Sequence, residues 1–290
     1  MISKIRALEV AKAAEDVVSA ETALPIDPFG IARSRGIMVQ AMESTKPGVS
    51  GFLIKSGDSF GIAYANRISN QGYINFTVSH ELGHYFIPGH VEKLFTATST
   101  IHSSRSGFVA PDPCEREADF FAATLLMPAA LFRKATSAAG DGFPAIERLA
   151  GQCVTSITAT AIRFAEFSES AVAVIVSSND AVDFCCLSPV LQDLNGVTWM
   201  RHGDSIPGSS TTTKFNRDPQ NIANGVQKEG CSMLDEWLEG APRIEMKEDV
   251  VGLGHYGKTL TVLFTDAEIE SENPDEEDSF DRWQCWDKRR

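Results

Sequence analysis

The sequence predicts an α+β protein in which helical and strand-like segments are segregated along the chain. Three observations carry this. Apolar residues fall at helical spacing over residues 4–20, 73–87 and 113–127. Residues 144–167 read helix, turn, helix. From about residue 170 the chain changes to short runs rich in Val, Phe, Leu and Thr, the residues that suit a pleated, half-buried surface.

In chain order, Ile5, Leu8, Val10, Ala13, Ala14, Val17 and Val18 give the first helix its apolar spacing. The Pro-rich LPIDPFG follows, then IARSRGIMVQAM, a short helix ended by Gly36 with a strand after it. GVSGFLIKSGDSFGIAYA holds two apolar runs around Ser56-Gly57-Asp58, which predicts a hairpin. After the helix at 73–87, residues 88–111 show little periodicity and read as a linker, and Pro128 stops the helix at 113–127. PAIERLAGQC, VTS and ITATAIRFAEF form the helix-turn-helix-like stretch, and AVAVIVSS, VDFCCLS and TLTVLFT read as strands. The expected organisation is a domain over 1–135, a connector over 136–168, a β-rich domain over 169–265 and a tail over 266–290. No internal repeat is visible.

Composition narrows the function classes. At 290 residues with 43% hydrophobic and 22% charged side chains, the chain is long enough for two folded domains. No stretch approaches the roughly 20 apolar residues of a membrane span, so no membrane partner is expected. The N-terminus lacks the apolar core of a secretory signal, which predicts a cytoplasmic protein. Six cysteines without C-x-x-C spacing make neither a disulfide framework nor a four-cysteine zinc site. A net charge of -13 argues against a general polyanion binder. Residues 266–281 hold nine acidic and no basic side chains, a solvated acidic tail.

His80-Glu81-Leu82-Gly83-His84 is an H-E-x-x-H motif inside a helical pattern. Residues i and i+4 share a helix face, so both imidazoles can reach one metal ion. Glu81 is next round the helix from His80, where a general base for hydrolysis must stand. A catalytic zinc takes a third protein ligand and keeps an open position. Glu115 in the second helix offers that ligand. Asp119, four residues on and on the same face, can accept the other ring N–H of a ligating histidine. Glu117, about 200° round the helix from Glu115, faces elsewhere. Asp112, Pro113 and Glu115 also read as a helix start with a capping box, and this alternative use of Glu115 stands beside ligation.

SHELGHYF followed by CEREADFFAATLLMP resembles the ImmA/IrrE family of metallopeptidases, and IDPFGIARSRGI upstream and AIERLAGQCVTSITATAIRF downstream match its pattern. The resemblance covers about residues 1–167. It implies a zincin-like metallopeptidase domain followed by a helix-turn-helix-like connector, and the β-rich end is similar in position to a GAF-like sensor domain. It implies one Zn2+ per chain on His80, His84 and Glu115, with Glu81 as the catalytic base. It further implies that the substrate is a helix-turn-helix transcriptional repressor, whose cleavage switches on a stress, DNA-damage or phage-defence response.

Other residues extend this expectation. Tyr64, Tyr85, His90, His102 and Arg105 are candidates to steady the oxyanion of the reaction. Cys114 precedes Glu115 in the first turn of its helix, where a thiol pKa tends to fall. As a thiolate it would fill the open position on zinc and hold the enzyme latent. Arg163 is the single base-reading side chain in TSITATAIRFAEF, so specific duplex DNA is not an expected partner. Single-stranded DNA is a candidate activator, with Phe108, Trp199 and Tyr256 as stacking candidates. The alternative to a peptidase is a non-enzymatic zinc-containing regulator that acts by binding a repressor or other partner.

Overall fold

The protein is described from a computed structural model, over residues 3–43, 48–67, 69–96, 98–105, 112–267 and 269. Its contacts divide the chain into two units, Met1–Lys134 with Ala150–Ala159, and Ala135–Leu149 with Thr160–Arg290. Both units mix helices with a sheet, as the α+β prediction requires. Among the described residues no helix is long and apolar enough to cross a membrane.

The first unit opens with helix α1 (Lys4–Val17), capped by Ser3, whose side chain accepts from the Arg6 N–H. Helix α2 (Pro28–Ser34) starts where Asp27 caps it and Pro28 takes the first turn. Gly36 then takes a φ of +69° and turns the chain into strand β1 (Met38–Met42). Strands β2 (Val49–Ser56) and β3 (Ser59–Ala65) form the expected hairpin, turning at Gly57 with φ +61°. Helix α3 (Gln71–Phe86) begins at Asn70, whose side chain accepts from the Tyr73 N–H. Helix α4 (His90–Leu94), strand β4 (Ile101–Arg105) and helix α5 (Pro113–Leu126) complete the motif-bearing part. The sheet order is β1-β3-β2-β4, with β1 parallel to β3 and the other pairs antiparallel.

The 88–111 stretch is therefore not a bare linker, since it contains α4 and the edge strand β4. The polar run Ile101-His-Ser-Ser-Arg105 becomes a strand because β2 offers it a backbone ladder, with Leu53 opposite His102. That pairing is long-range and leaves no local periodicity.

Helix α3 packs chiefly on α5 and on β2, and it is buried on most of its circumference from Ile74 to His84. Gly83 lies where α3 meets α5. A Cβ there would stand 3.2 Å from Ala118 Cα and from Phe121 Cδ1. The missing side chain lets the two helices approach, at the usual helix-propensity cost of about 1 kcal/mol.

Helices α6 (Ala129–Ala139), α7 (Gly142–Cys153) and α8 (Ile157–Phe167) occupy the stretch read as a connector, and they are shared between the two units. The Val154–Thr155 turn belongs to the first unit. There Asn75 Nδ2 of α3 donates to Val154 O at 3.3 Å, and Thr155 backbone lies against Gly72. Arg163 is buried, pairs with Glu166 at 2.9 Å and lies over the Phe167 ring, so it is not placed to read a base.

In the second unit, strands β5 (Ala171–Ser178) and β6 (Ala181–Leu187) precede short helices α9 (Pro189–Gln192), α10 (Thr211–Asn216) and α11 (Pro219–Ala223). Strand β7 (Gln227–Met233), helix α12 (Leu234–Trp237), strand β8 (Glu245–Gly252), a 3-10 turn at Gly254–Tyr256 and strand β9 (Thr259–Thr265) follow. The sheet is antiparallel throughout, in the order β6-β5-β9-β8-β7. Trp237, Leu234, Met246 and Leu263 are in its core, with Trp199 packed partly against them. Tyr256 is exposed and stacks on His255. Phe108, Cys285 and the tail beyond residue 269 lie outside the described residues.

Placing a branched side chain at the α3–α5 crossing tests the close approach. Gly83→Val should destabilise the first unit by roughly 1–3 kcal/mol, as overpacking does. Thermal unfolding followed by circular dichroism would register it, and an unchanged midpoint would refute the packing constraint.

Candidate metal centre

The helix geometry of α3 brings His80 and His84 onto one face, with their Nε2 atoms 3.1 Å apart. Glu115, in the first turn of α5, supplies a carboxylate between them. Its Oε2 is 3.4 Å from His80 Nε2 and its Oε1 is 3.2 Å from His84 Nε2. These three residues form a group able to hold a metal ion. Two donors each about 2.0–2.1 Å from a tetrahedral ion stand about 3.3 Å apart, so the observed spacing suits zinc. Asp112 caps α5 by accepting from the Cys114 N–H at 2.8 Å, which leaves the Glu115 carboxylate for the histidines.

The charges reinforce the arrangement. Burial opposes ionisation of Glu115, but His102, His80 and His84 overcome it and hold the carboxyl well below the usual range. Burial also works against a charged His80, yet Asp119 and Glu115 outweigh it and raise its pKa well above the ordinary value. His84, buried and facing other imidazoles, is pushed down to about 3 despite Glu115. A low-pKa imidazole keeps a free nitrogen lone pair, the form a metal ligand needs.

Glu81 is fully buried, with the Ser104 hydroxyl beside its carboxylate. Burial pushes its carboxyl up to about 7, against the pull of His80, Ser104 and His102. Room for it comes from β2. A Cβ on Gly51 would stand 2.5 Å from Glu81 Oε1 and 2.7 Å from Thr77 Cγ2. A buried carboxylate with a raised pKa beside a ligand cluster can accept a proton, which is the chemistry of a general base.

Asp119 Oδ1 lies 2.9 Å from His80 Nδ1, at the second ring nitrogen of that histidine. Of the oxyanion candidates, His102 joins the cluster, with Nε2 2.8 Å from Glu115 Oε1 and its ring 4.6 Å from His84. Its side chain is 17% exposed against 0% for His84, so it stands on the accessible side. Tyr64 packs edge-on against Phe29 and Tyr85 against Phe60. The Arg105 side chain lies outside the described residues.

His90 is another of the oxyanion candidates. It is fully buried behind the cluster, with Nδ1 3.1 Å from His84 Nδ1 and Nε2 2.9 Å from Glu117 Oε2. Glu117 does face away from Glu115, yet it is tied to the centre through His90. Cys114 is buried, and its sulfur is not among the converging ligand atoms. Burial, with the acidic neighbours, raises its thiol pKa, so the lowering expected at a helix N-terminus does not prevail.

Sequence spacing missed Gly51, Ser104, Arg6 and Glu117. Gly51 reads as an ordinary strand glycine, and the others reach the site only through tertiary packing. Gly51→Ala should displace the Glu81 carboxylate while leaving His80, His84 and Glu115 in place. Zinc content should stay at wild type while any hydrolysis falls by at least tenfold, a loss of roughly 1.4 kcal/mol in transition-state stabilisation. Metal analysis beside an activity assay checks this, and full activity would show that Glu81 does not depend on the glycine.

Residues 32–142 match the model of the Peptidase_M78 family, described as the IrrE N-terminal-like domain. No curated protein matches the chain. Among solved structures, a Mycobacterium tuberculosis transcriptional regulator is similar in fold, with a TM-score of 0.55 and 10% identity, over 92% of this chain and 82% of that one. The residues of the metal centre, both motif histidines, Glu81 and Glu115, all lie within the stretch that matches the IrrE N-terminal-like domain, which supports the ImmA/IrrE resemblance of the two motifs.

Proposed function

We propose that the first unit is a zinc-dependent endopeptidase that cleaves a helix-turn-helix transcriptional repressor, and that the second unit is a GAF-like sensor that governs it. The observation that carries the peptidase reading is the convergence of His80 Nε2, His84 Nε2 and Glu115 within 3.1–3.4 Å, beside a fully buried Glu81. The donor set, two imidazoles and one carboxylate with no thiolate, is that of a catalytic zinc. The substrate class rests on the ImmA/IrrE resemblance.

Zinc, when bound, supplies the Lewis acidity that makes a water nucleophilic and polarises the scissile carbonyl. The chain's own residues do the rest. His80, His84 and Glu115 would hold the ion, and Asp119 fixes the ring orientation of His80. Glu81 takes the proton of the attacking water and returns it to the leaving amine. Burial favours that transfer by making the charged carboxylate costly. His102, on the accessible side, donates toward the oxyanion. This scheme assigns no step to Cys114.

The test is cleavage of a helix-turn-helix repressor by zinc-loaded protein, with and without short single-stranded DNA. Wild type should make a discrete cut. Glu81→Gln should abolish it while retaining zinc. His102→Ala should retain zinc and lower kcat by about 10²-fold, the usual loss on removing an oxyanion donor. A repressor left whole under both conditions by zinc-loaded wild type would overturn the reading and favour a regulator that acts by binding.

A further inference from the structure

We propose that His90, Glu117 and Arg6 form an outer sphere that orients the metal ligand His84, so that an arginine in the first turn of α1 is a positioning residue for metal retention. This rests on the metal-site reading above and deepens it.

Hydrogen-bond direction links these residues to His84. His84 points Nε2 at His80 and Glu115, so Nε2 is its ligating atom and Nδ1 must carry the ring proton. That Nδ1 lies 3.1 Å from His90 Nδ1, which must then accept. The proton of His90 is accordingly on Nε2, 2.9 Å from Glu117 Oε2, a carboxylate that can only accept. The opposite direction would set a bare His90 Nε2 against the carboxylate. Arg6 fixes that carboxylate with Nε and Nη2, both at 2.8 Å. The guanidinium is always charged, so Glu117 stays ionised and the direction of the whole chain is set.

Burial makes the direction binding, because His84 and His90 are both fully buried and water does not compete for their nitrogens. Arg6 Nη2 also donates to Pro88 O at 2.9 Å, which ties down the turn that leads into α4 and His90. Arg6, Glu117 and His90 thus do for His84 what Asp119 does for His80. They connect the metal centre to α1, a helix that contributes no ligand.

The experiment measures zinc affinity by chelator competition, with no substrate present. His90→Ala should bind zinc roughly 10–100-fold more weakly, the usual loss when a ligand's outer partner is removed. His90→Gln should recover most of that loss, because its amide oxygen accepts from His84 and its NH2 donates to Glu117. Arg6→Met, which removes the charge and keeps the stem, should weaken zinc in the same direction by a smaller factor. In zinc-loaded wild type, nitrogen NMR should show the proton on Nδ1 of His84 and on Nε2 of His90, a signature that a merely structural role would not fix. Wild-type affinity in both His90→Ala and Arg6→Met, or a His84 bound through Nδ1, would overturn the proposal alone. Wild type that takes up no zinc would overturn the metal-site reading and the proposal with it.

Discussion

The close approach of α3 and α5 at Gly83 is the constraint on which the rest of the first unit depends. An H-E-x-x-H helix carries two ligands at a spacing set by its own geometry, but the third must come from another element. Glu115 reaches both imidazoles because its helix lies against α3 with Ala118 and Phe121 where a side chain at position 83 would stand. That contact is apolar, so the ligands are taken out of water. A buried polar atom left unpartnered costs roughly 1–3 kcal/mol, more when charged. The outer partners follow from this cost. Asp119 meets the second nitrogen of His80, and His90 meets that of His84. The two arms differ in length: one ends at a carboxylate, while the other passes through a second imidazole to a carboxylate held by an arginine.

Much of this was legible in the chain because it is encoded at helical spacing. The motif helix, the cap at Asp112 with Pro113, and the shared face of Glu115 and Asp119 depend on residues within four positions of one another. The hairpin at Gly57 and the apolar strands β5, β6 and β9 were equally readable. Strands β4 and β7 were not. IHSSR and QKEGCSM are polar edge strands that exist because a neighbour offers hydrogen bonds, and no period of two marks them. His102 therefore stood in a stretch read as linker, though it was named as a candidate. His90 was named too, but its position behind the cluster was not legible, because sequence carries no measure of depth. The partnership of Glu117 with Arg6 spans 111 residues and has no local signature at all.

Two fully buried carboxylates show how the structure separates support from chemistry. Glu248 in the second unit accepts from Thr211 N at 3.0 Å, from Thr212 N and Oγ1 at 2.7 Å each, and from Ser232 Oγ. Those donors come from the start of α10 and from β7, so the carboxylate pins a helix to a sheet. Each oxygen lost from it would strand donors that have no water to turn to. Glu81 is as deeply buried but far more sparsely held, with the Ser104 hydroxyl beside it. Its neighbours include a glycine, a threonine methyl, His80 and the hydroxyl of Ser104. A carboxylate held so sparsely keeps lone pairs that can take up a proton, which is what a general base must do, whereas one surrounded by four donors is fixed as a support.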